Sequence, residues 1–263
     1  GYQAGGAVTT GIKNVVVGAL ALDAADTGQE NTAIGHQALT ADTKGNRNVA
    51  VGAGTLVTQN FTTATSVYNV AVGYSAGNAI TTGVQNTLIG GLAGDALTDA
   101  DSNVAIGGQA LTTDTLGSRS VAIGQHALQV QNFTTATNAY NVAVGYDAGV
   151  NITTSINNTL IGSLAGDALT TSDGYNTALG YLALSADTVG QESVAIGSQA
   201  LATQNQTGAV AVYNTAVGTS AGRLITTGTQ NTIIGGLAGD ALTDADHNAV
   251  MGYQALSADT LGS

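Results

Sequence analysis

The sequence predicts an all-β fold: a parallel β-solenoid, or β-roll, wound in coils of 17 residues. Three observations predict it. The first is a quintet that the chain keeps rewriting, as Asn14-Val-Val-Val-Gly18, Asn31-Thr-Ala-Ile-Gly35, Asn48-Val-Ala-Val-Gly52 and so on to Asn248-Ala-Val-Met-Gly252, fourteen copies in all. The second is the spacing of the closing glycines. From Gly1 they fall at 18, 35, 52, 73, 90, 107, 124, 145, 162, 180, 197, 218, 235 and 252, so three steps of 17 and one of 21 recur, with a single step of 18. A fixed period this short marks a solenoid. The third is composition: 37 Gly, no Pro, no Cys, no Trp, 43% hydrophobic and only 8% charged. Such a chain is too apolar for disorder, and its small aliphatic side chains suit a narrow core.

The quintet reads as a strand. Positions 2 and 4 are mostly Thr/Val and Ile/Val, and position 3 is mostly Ala. Side chains alternate faces along a strand, so positions 2 and 4 share one face. The larger pair is expected to point into the coil and the alanine outward. A helix is disfavoured by the β-branched residues and the regular glycines. The closing glycine ends the strand where the backbone turns or approaches a neighbour. A second apolar pair follows, as in Gln37-Ala-Leu39, Gln109-Ala-Leu111 and Gln199-Ala-Leu201, and a polar turn such as 40–45 closes the coil. Seventeen residues at about 3.3 Å each give a contour of roughly 56 Å, enough for two short strands and two turns, with coils stacked about 4.8 Å apart.

The 21-residue step defines a longer unit of four coils. The super-repeats run 1–72, 73–144, 145–217 and, incomplete, 218–263, within one continuous solenoid segment 1–263. The chain starts and stops inside a coil, which suggests a piece of a longer array. One coil buries little volume, so lateral association is expected to supply missing core, with the alanine stripe letting chains approach closely.

The pattern Asn/Ser-x-Ala-Ile-Gly, followed by Gln-Ala-Leu and an Asn/Thr/Gly turn, resembles the head repeats of YadA-type trimeric autotransporter adhesins. It is similar also to the 17-residue repeats of phage tail fibres. The resemblance covers essentially the whole chain. It implies a left-handed parallel β-roll assembled as a parallel homotrimer, serving as shaft or adhesive head of an extracellular fibre on a cell surface or virion. Adhesin head coils are commonly nearer 14 residues and lack a regular fourth long coil, so no binding residue is carried over.

Charge and motifs exclude other classes. A net charge of −12 with five basic residues opposes nucleic acid and a polybasic membrane patch, and no apolar run is long enough to insert in a membrane. Catalysis finds no foothold: His36, His126 and His247 occupy different places in their coils, and no phosphate loop or nucleophile elbow is present. No cofactor is implied. Asp95, Asp99 and Asp101, repeated at Asp240, Asp244 and Asp246, have oxygen ligands for Ca²⁺ but neither a calcium β-roll nonapeptide nor an EF-hand spacing. These, with the recurrent Asp23 and Asp167 and the series Asp42, Asp114, Asp187 and Asp259, read as solvated turn residues that discourage aggregation. The pairs Thr81-Thr82, Thr153-Thr154 and Thr226-Thr227 are too sparse for an ice-binding array.

The long coils are the informative irregularity. Four extra residues cannot follow the ruler and are expected to bulge outward. Here lie Asn60 and Phe61, Asn132 and Phe133, and Asn205, each followed by a tyrosine before the next quintet, Tyr68, Tyr140 and Tyr213. Two readings fit. One is a repeated docking site for a host receptor or glycan; the other is a packing excursion that caps the core or wraps a neighbouring chain. Each bulge also carries an Asn-x-Thr sequon, at Asn60, Asn132 and Asn205, for which ordinary turn chemistry is the plainer account. The function expected is mechanical: reach, stiffness and multivalent attachment, as an adhesin or tail-fibre segment. The alternative is a purely structural extracellular filament.

Overall fold

The computed structural model describes residues 1–171 and 174–261. It is an all-β parallel solenoid with coils of about 17 residues and no helix among the described residues. The chain divides into two compact units, the first Gly1–His126 with Gln131–Asn138, the second Ala127–Val130 with Ala139 onward. The first holds the strands Val15–Val17, Thr32–Ile34, Val49–Val51, Val70–Val72, Thr87–Ile89, Val104–Ile106 and Val121–Ile123. The second holds Val142–Val144, Thr159–Ile161, Thr177–Leu179, Val194–Ile196, Thr215–Val217, Thr232–Ile234 and Ala249–Met251. Each strand is the middle of one quintet. Within a unit they pair in parallel with like over like, as Val49↔Val70, Ala50↔Ala71 and Val51↔Val72. The 21-residue step leaves this register intact because its extra residues loop out at 62–64, 134–136 and 207–209 and the chain then rejoins the coil before it: Thr65–Ser66 pairs with Gly45–Asn46, Thr137–Asn138 with Gly117–Ser118, and Val210–Ala211 with Gly190–Gln191.

The strand faces are inverted relative to the sequence expectation. The central alanines, Ala33, Ala50, Ala71 and Ala105 among them, are fully buried, and the flanking Val, Ile and Thr point out of the coil. The physical reason is width. The opposite wall of the coil brings its own leucine inward, Leu39, Leu56, Leu111, Leu128, Leu184 and Leu201, and only a methyl fits between it and the strand. The alanine stripe therefore fills the coil and is not available for contact between chains.

The leucine gets inside through an unusual backbone. Gln37 and Leu39 sit at φ 58° and 56°, and Gln109 and Leu111 at 58° and 54°. Left-handed conformations cost a non-glycine residue about 1–2 kcal/mol. They persist because the turn is bonded both ways along the axis: Gln37 N–H donates to Ala19 O at 3.0 Å, and Leu39 N–H to Thr55 O at 3.0 Å. The closing glycine has a different reason. At Gly35, φ is 138° and a Cβ would lie 2.3 Å from Gly52 O of the next coil, so coils stack this closely only on glycine.

The first residue of each quintet builds a ladder inside the coil. Asn31 N–H donates to Asn14 Oδ1, Asn48 N–H to Asn31 Oδ1 and Asn103 N–H to Asn86 Oδ1, each at 2.9 Å. The side-chain amides reach across to a turn carbonyl, as Asn31 Nδ2 to Gly45 O at 2.9 Å and Asn86 Nδ2 to Ala100 O at 2.8 Å. Buried polar groups need partners, and each asparagine serves the backbone of two coils.

Candidate functional site

The long coils are built on a buried carboxylate. Asp42 is 1% exposed, and Asp114 and Asp187 are fully buried, so these three are core residues and not solvated turns. Asp114 Oδ1 accepts from Gly117 N–H and Phe133 N–H, both at 3.0 Å, and Oδ2 from Gln131 Nε2 at 2.6 Å. Asp42 repeats this with Gly45 N–H at 2.9 Å, Phe61 N–H at 3.2 Å and Gln59 Nε2 at 2.5 Å. Asp187 accepts from Gly190 N–H at 2.8 Å and Gln204 Nε2 at 2.6 Å. Charged hydrogen bonds replace a counter-ion here. Burial nonetheless pushes the Asp42 carboxyl above the ordinary range, its hydrogen bonds opposing that rise.

That anchor fixes the bulge. Phe61 and Phe133 are only 8% and 6% exposed. Phe133 lies over Gly117, where an added Cβ would meet its ring at 2.8 Å. The rings are packing elements of their own chain and are not presented for docking. What is exposed is small and polar: 62–64, 134–136 and 207–209. Asn60, Asn132 and Asn205 top a column of threonines, accepting from Thr43, Thr115 and Thr188 Oγ1 at 3.0, 3.2 and 3.0 Å. Threonines in this column spend their hydroxyls on carbonyls of the next coil, as Thr98 on Thr115 O at 3.0 Å and Thr170 on Thr188 O at 2.9 Å.

Tyr68, Tyr140 and Tyr213 are half-exposed, and the structure places them elsewhere, beside the outer face of the strands. Arg47 donates to Tyr68 Oη at 3.0 Å and lies 5.6 Å from its ring centroid. The hydrogen bond to Glu192, reinforced by its charge, raises the Tyr213 hydroxyl. In the same column Glu30 bridges Lys13 at 3.2 Å and Arg47 at 2.9 Å, and the Arg47 and then the Lys13 hydrogen bonds hold its carboxyl below the usual range.

The outer face of the strands is the surface that the inverted assignment hid. Position 4 of every quintet is a large aliphatic pointing outward: Val17, Ile34, Val51, Val72, Ile89, Ile106 and Ile123 in the first unit. The second unit continues with Val144, Ile161, Leu179, Ile196, Val217, Ile234 and Met251. Position 2 adds Val or Thr beside all but the last. Seven strands about 4.8 Å apart, each presenting three residues of about 3.3 Å, give each unit an outward stripe of roughly 330 Å², within the range of the largest patches that monomeric proteins leave exposed. The edges of this face carry Lys13, Arg47 and Arg119 against Glu30 and Glu192, with Asp147 hydrogen-bonded to Tyr146 at the trailing edge.

The turn aspartates bind within the chain. Asp99 accepts from Thr82 Oγ1 at 2.6 Å, Asp101 from Val84 N–H at 2.8 Å, Asp95 from Thr112 Oγ1, and Asp246 from Thr229 N–H at 2.6 Å. No group of three or more His, Cys, Asp or Glu among the described residues is placed to hold a metal ion. Compared with family models, characterised proteins and solved structures, the chain matches none.

Proposed function

We propose that this chain is a structural segment of an extracellular fibre, an adhesin or tail-fibre shaft or head, whose copies assemble as a parallel homotrimer of left-handed β-rolls. The observation that carries it is the outward stripe of Val and Ile on a solenoid. One coil buries almost no large side chain but its leucine or isoleucine, and covering the stripe adds the apolar burial a single chain lacks. The repeat pattern supports three copies and a location outside the cell or on a virion. Off this face the acidic surface keeps fibres from sticking laterally, and a repeated exterior gives multivalent attachment to a host receptor or glycan.

Sedimentation of the chain, alone and with Ile106→Lys plus Ile123→Lys, tests the reading. The parent should sediment as a trimer, and the variant as a folded monomer with unchanged circular dichroism, because outward substitutions cost a coil only about 0.5 kcal/mol. Ala105→Leu, one residue away but inward, should instead destabilise the coil by about 1–3 kcal/mol through overpacking. A parent that stays monomeric at high concentration would falsify the assembly.

The second reading, a purely structural filament without dedicated receptor binding, is favoured by the burial of Phe61 and Phe133. It leaves the long coils with only small polar tips.

A further inference from the structure

Each outward strand is bracketed by a leading residue just before its quintet and a trailing residue just after its closing glycine. We infer that leading and trailing edges of the same coil meet between copies, so that Tyr68 packs on Tyr74 of a second copy, Tyr140 on Tyr146 and Tyr175 on Tyr181. The inference rests on the association proposed above and adds its register: parallel, with no axial slip.

The edges vary together. Of the four leading tyrosines, Tyr68, Tyr140 and Tyr175 have a tyrosine at the trailing position of the same coil, and all six rings are about half-exposed or more. Within one chain such partners are six residues apart, roughly 20 Å along a strand, well beyond the 4.5–7 Å of stacked rings. An intrachain contact therefore does not explain the match. Simple copying of the super-repeat does not explain it either. Tyr68/Tyr74 and Tyr140/Tyr146 belong to the first coil of their units, whereas Tyr175/Tyr181 belongs to the third. There the earlier units carry Glu30 with His36 and Ser102 with Gly108. Both edges changed to tyrosine at one coil.

Rotation about an axis parallel to the solenoid explains this. Any cyclic symmetry sets the leading edge of one copy against the trailing edge of the next at equal height, whatever the number of copies. An antiparallel pair sets different coils together and asks for no such match. Two coils are exceptions: Tyr213, whose hydroxyl is engaged by Glu192 of the previous coil, faces Thr219, and Tyr253 at a trailing edge faces His247. The edges carry both signs, Lys13, Arg47 and Arg119 against Glu30, Glu192 and the Asp147 that hydrogen-bonds Tyr146, so no field of one sign opposes the meeting of copies here.

The chain has no cysteine, so the contact is testable by cross-linking. Tyr68→Cys and Tyr74→Cys chains are refolded together and treated with a short bis-maleimide. The mixture should give a linked two-chain product at least about tenfold above either variant alone, and above Tyr68→Cys mixed with Tyr146→Cys, because proximity raises effective concentration. Sedimentation of the same samples separates the two claims. Assembly with equal or absent linking in the matched mixture overturns the register alone; a monomer overturns the register and the assembly together. The pair Tyr175→Cys and Tyr181→Cys repeats the test if a first variant does not fold.

Discussion

In the coil closed by Gly90 the strand centre is Leu88, the residue four past the closing glycine is Gly94, and the residue seven past it is Leu97. In the coil closed by Gly107 the same three places hold Ala105, Leu111 and Asp114. In the unit from residue 73 the first two coils fill the late turn, with Ile80 and Leu97, and the second also fills the strand centre with Leu88, whereas the last two fill the early turn, with Leu111 and Leu128, and leave the late turn polar. The glycines show the complementarity. A Cβ at Gly77 would lie 2.7 Å from Leu88 Cδ1, and one at Gly94 2.8 Å from Leu88 Cδ2, so Leu88 occupies room that two glycines vacate. Leu160 stands likewise between Gly149 and Gly166, at 2.8 Å from each. The four-coil period is thus a period of the core as well as of the bulges. A narrow coil holds one large side chain per level on the early side, and moving it forces compensation above and below.

The largest effect should come from breaking that complementarity. Leu88→Ala is expected to cost about 3–5 kcal/mol by leaving a cavity, measured by denaturant unfolding. Gly94→Ala alone should also destabilise, since the new methyl meets Leu88 and Leu97 at a φ of 55°. In the Leu88→Ala background its cost should fall by at least about 1 kcal/mol; strict additivity would sink the filling argument.

Next come the polar coils. Asp114→Ala strands the Gln131 amide and the Gly117 and Phe133 N–H groups, which should cost about 3 kcal/mol. Asp42 adds a pH signature. Its folded carboxyl is raised by burial, so its titration favours the fold below the ordinary aspartate value and withdraws that support as pH rises through the raised value. The melting temperature of the parent relative to Asp42→Asn should therefore fall as the pH rises from about 4. A constant difference would show that the carboxyl is not desolvated.

The smallest change compares super-repeats. The third long coil carries Gln206 where the first two carry Phe61 and Phe133, and Gln206 is equally buried, donating to Thr227 O at 3.2 Å. Phe133→Gln copies a natural solution and should cost only about 1 kcal/mol of lost apolar burial, with assembly unchanged by sedimentation. Loss of assembly would instead place that ring between chains.

Period, strand positions, parallel stacking and the outward bulge at 62–64 were legible in the sequence, because backbone hydrogen bonding demands that like residues stack on like. The asparagine ladder was visible as a recurrent Asn or Ser, but its burial was not, since asparagine at a strand entrance reads equally as a turn residue. Buried Asp42, Asp114 and Asp187 look in sequence like any aspartate before a glycine. Period-two alternation at a strand says that two faces differ, and it does not say which is inside. That choice was made by the far wall of the coil, where Leu39 and Leu111 enter at positive φ, a conformation no propensity assigns to leucine. Spacing alone determined a solenoid; only the tertiary structure decided that its alanines point in and its isoleucines out, because the width left by those leucines admits nothing larger than a methyl.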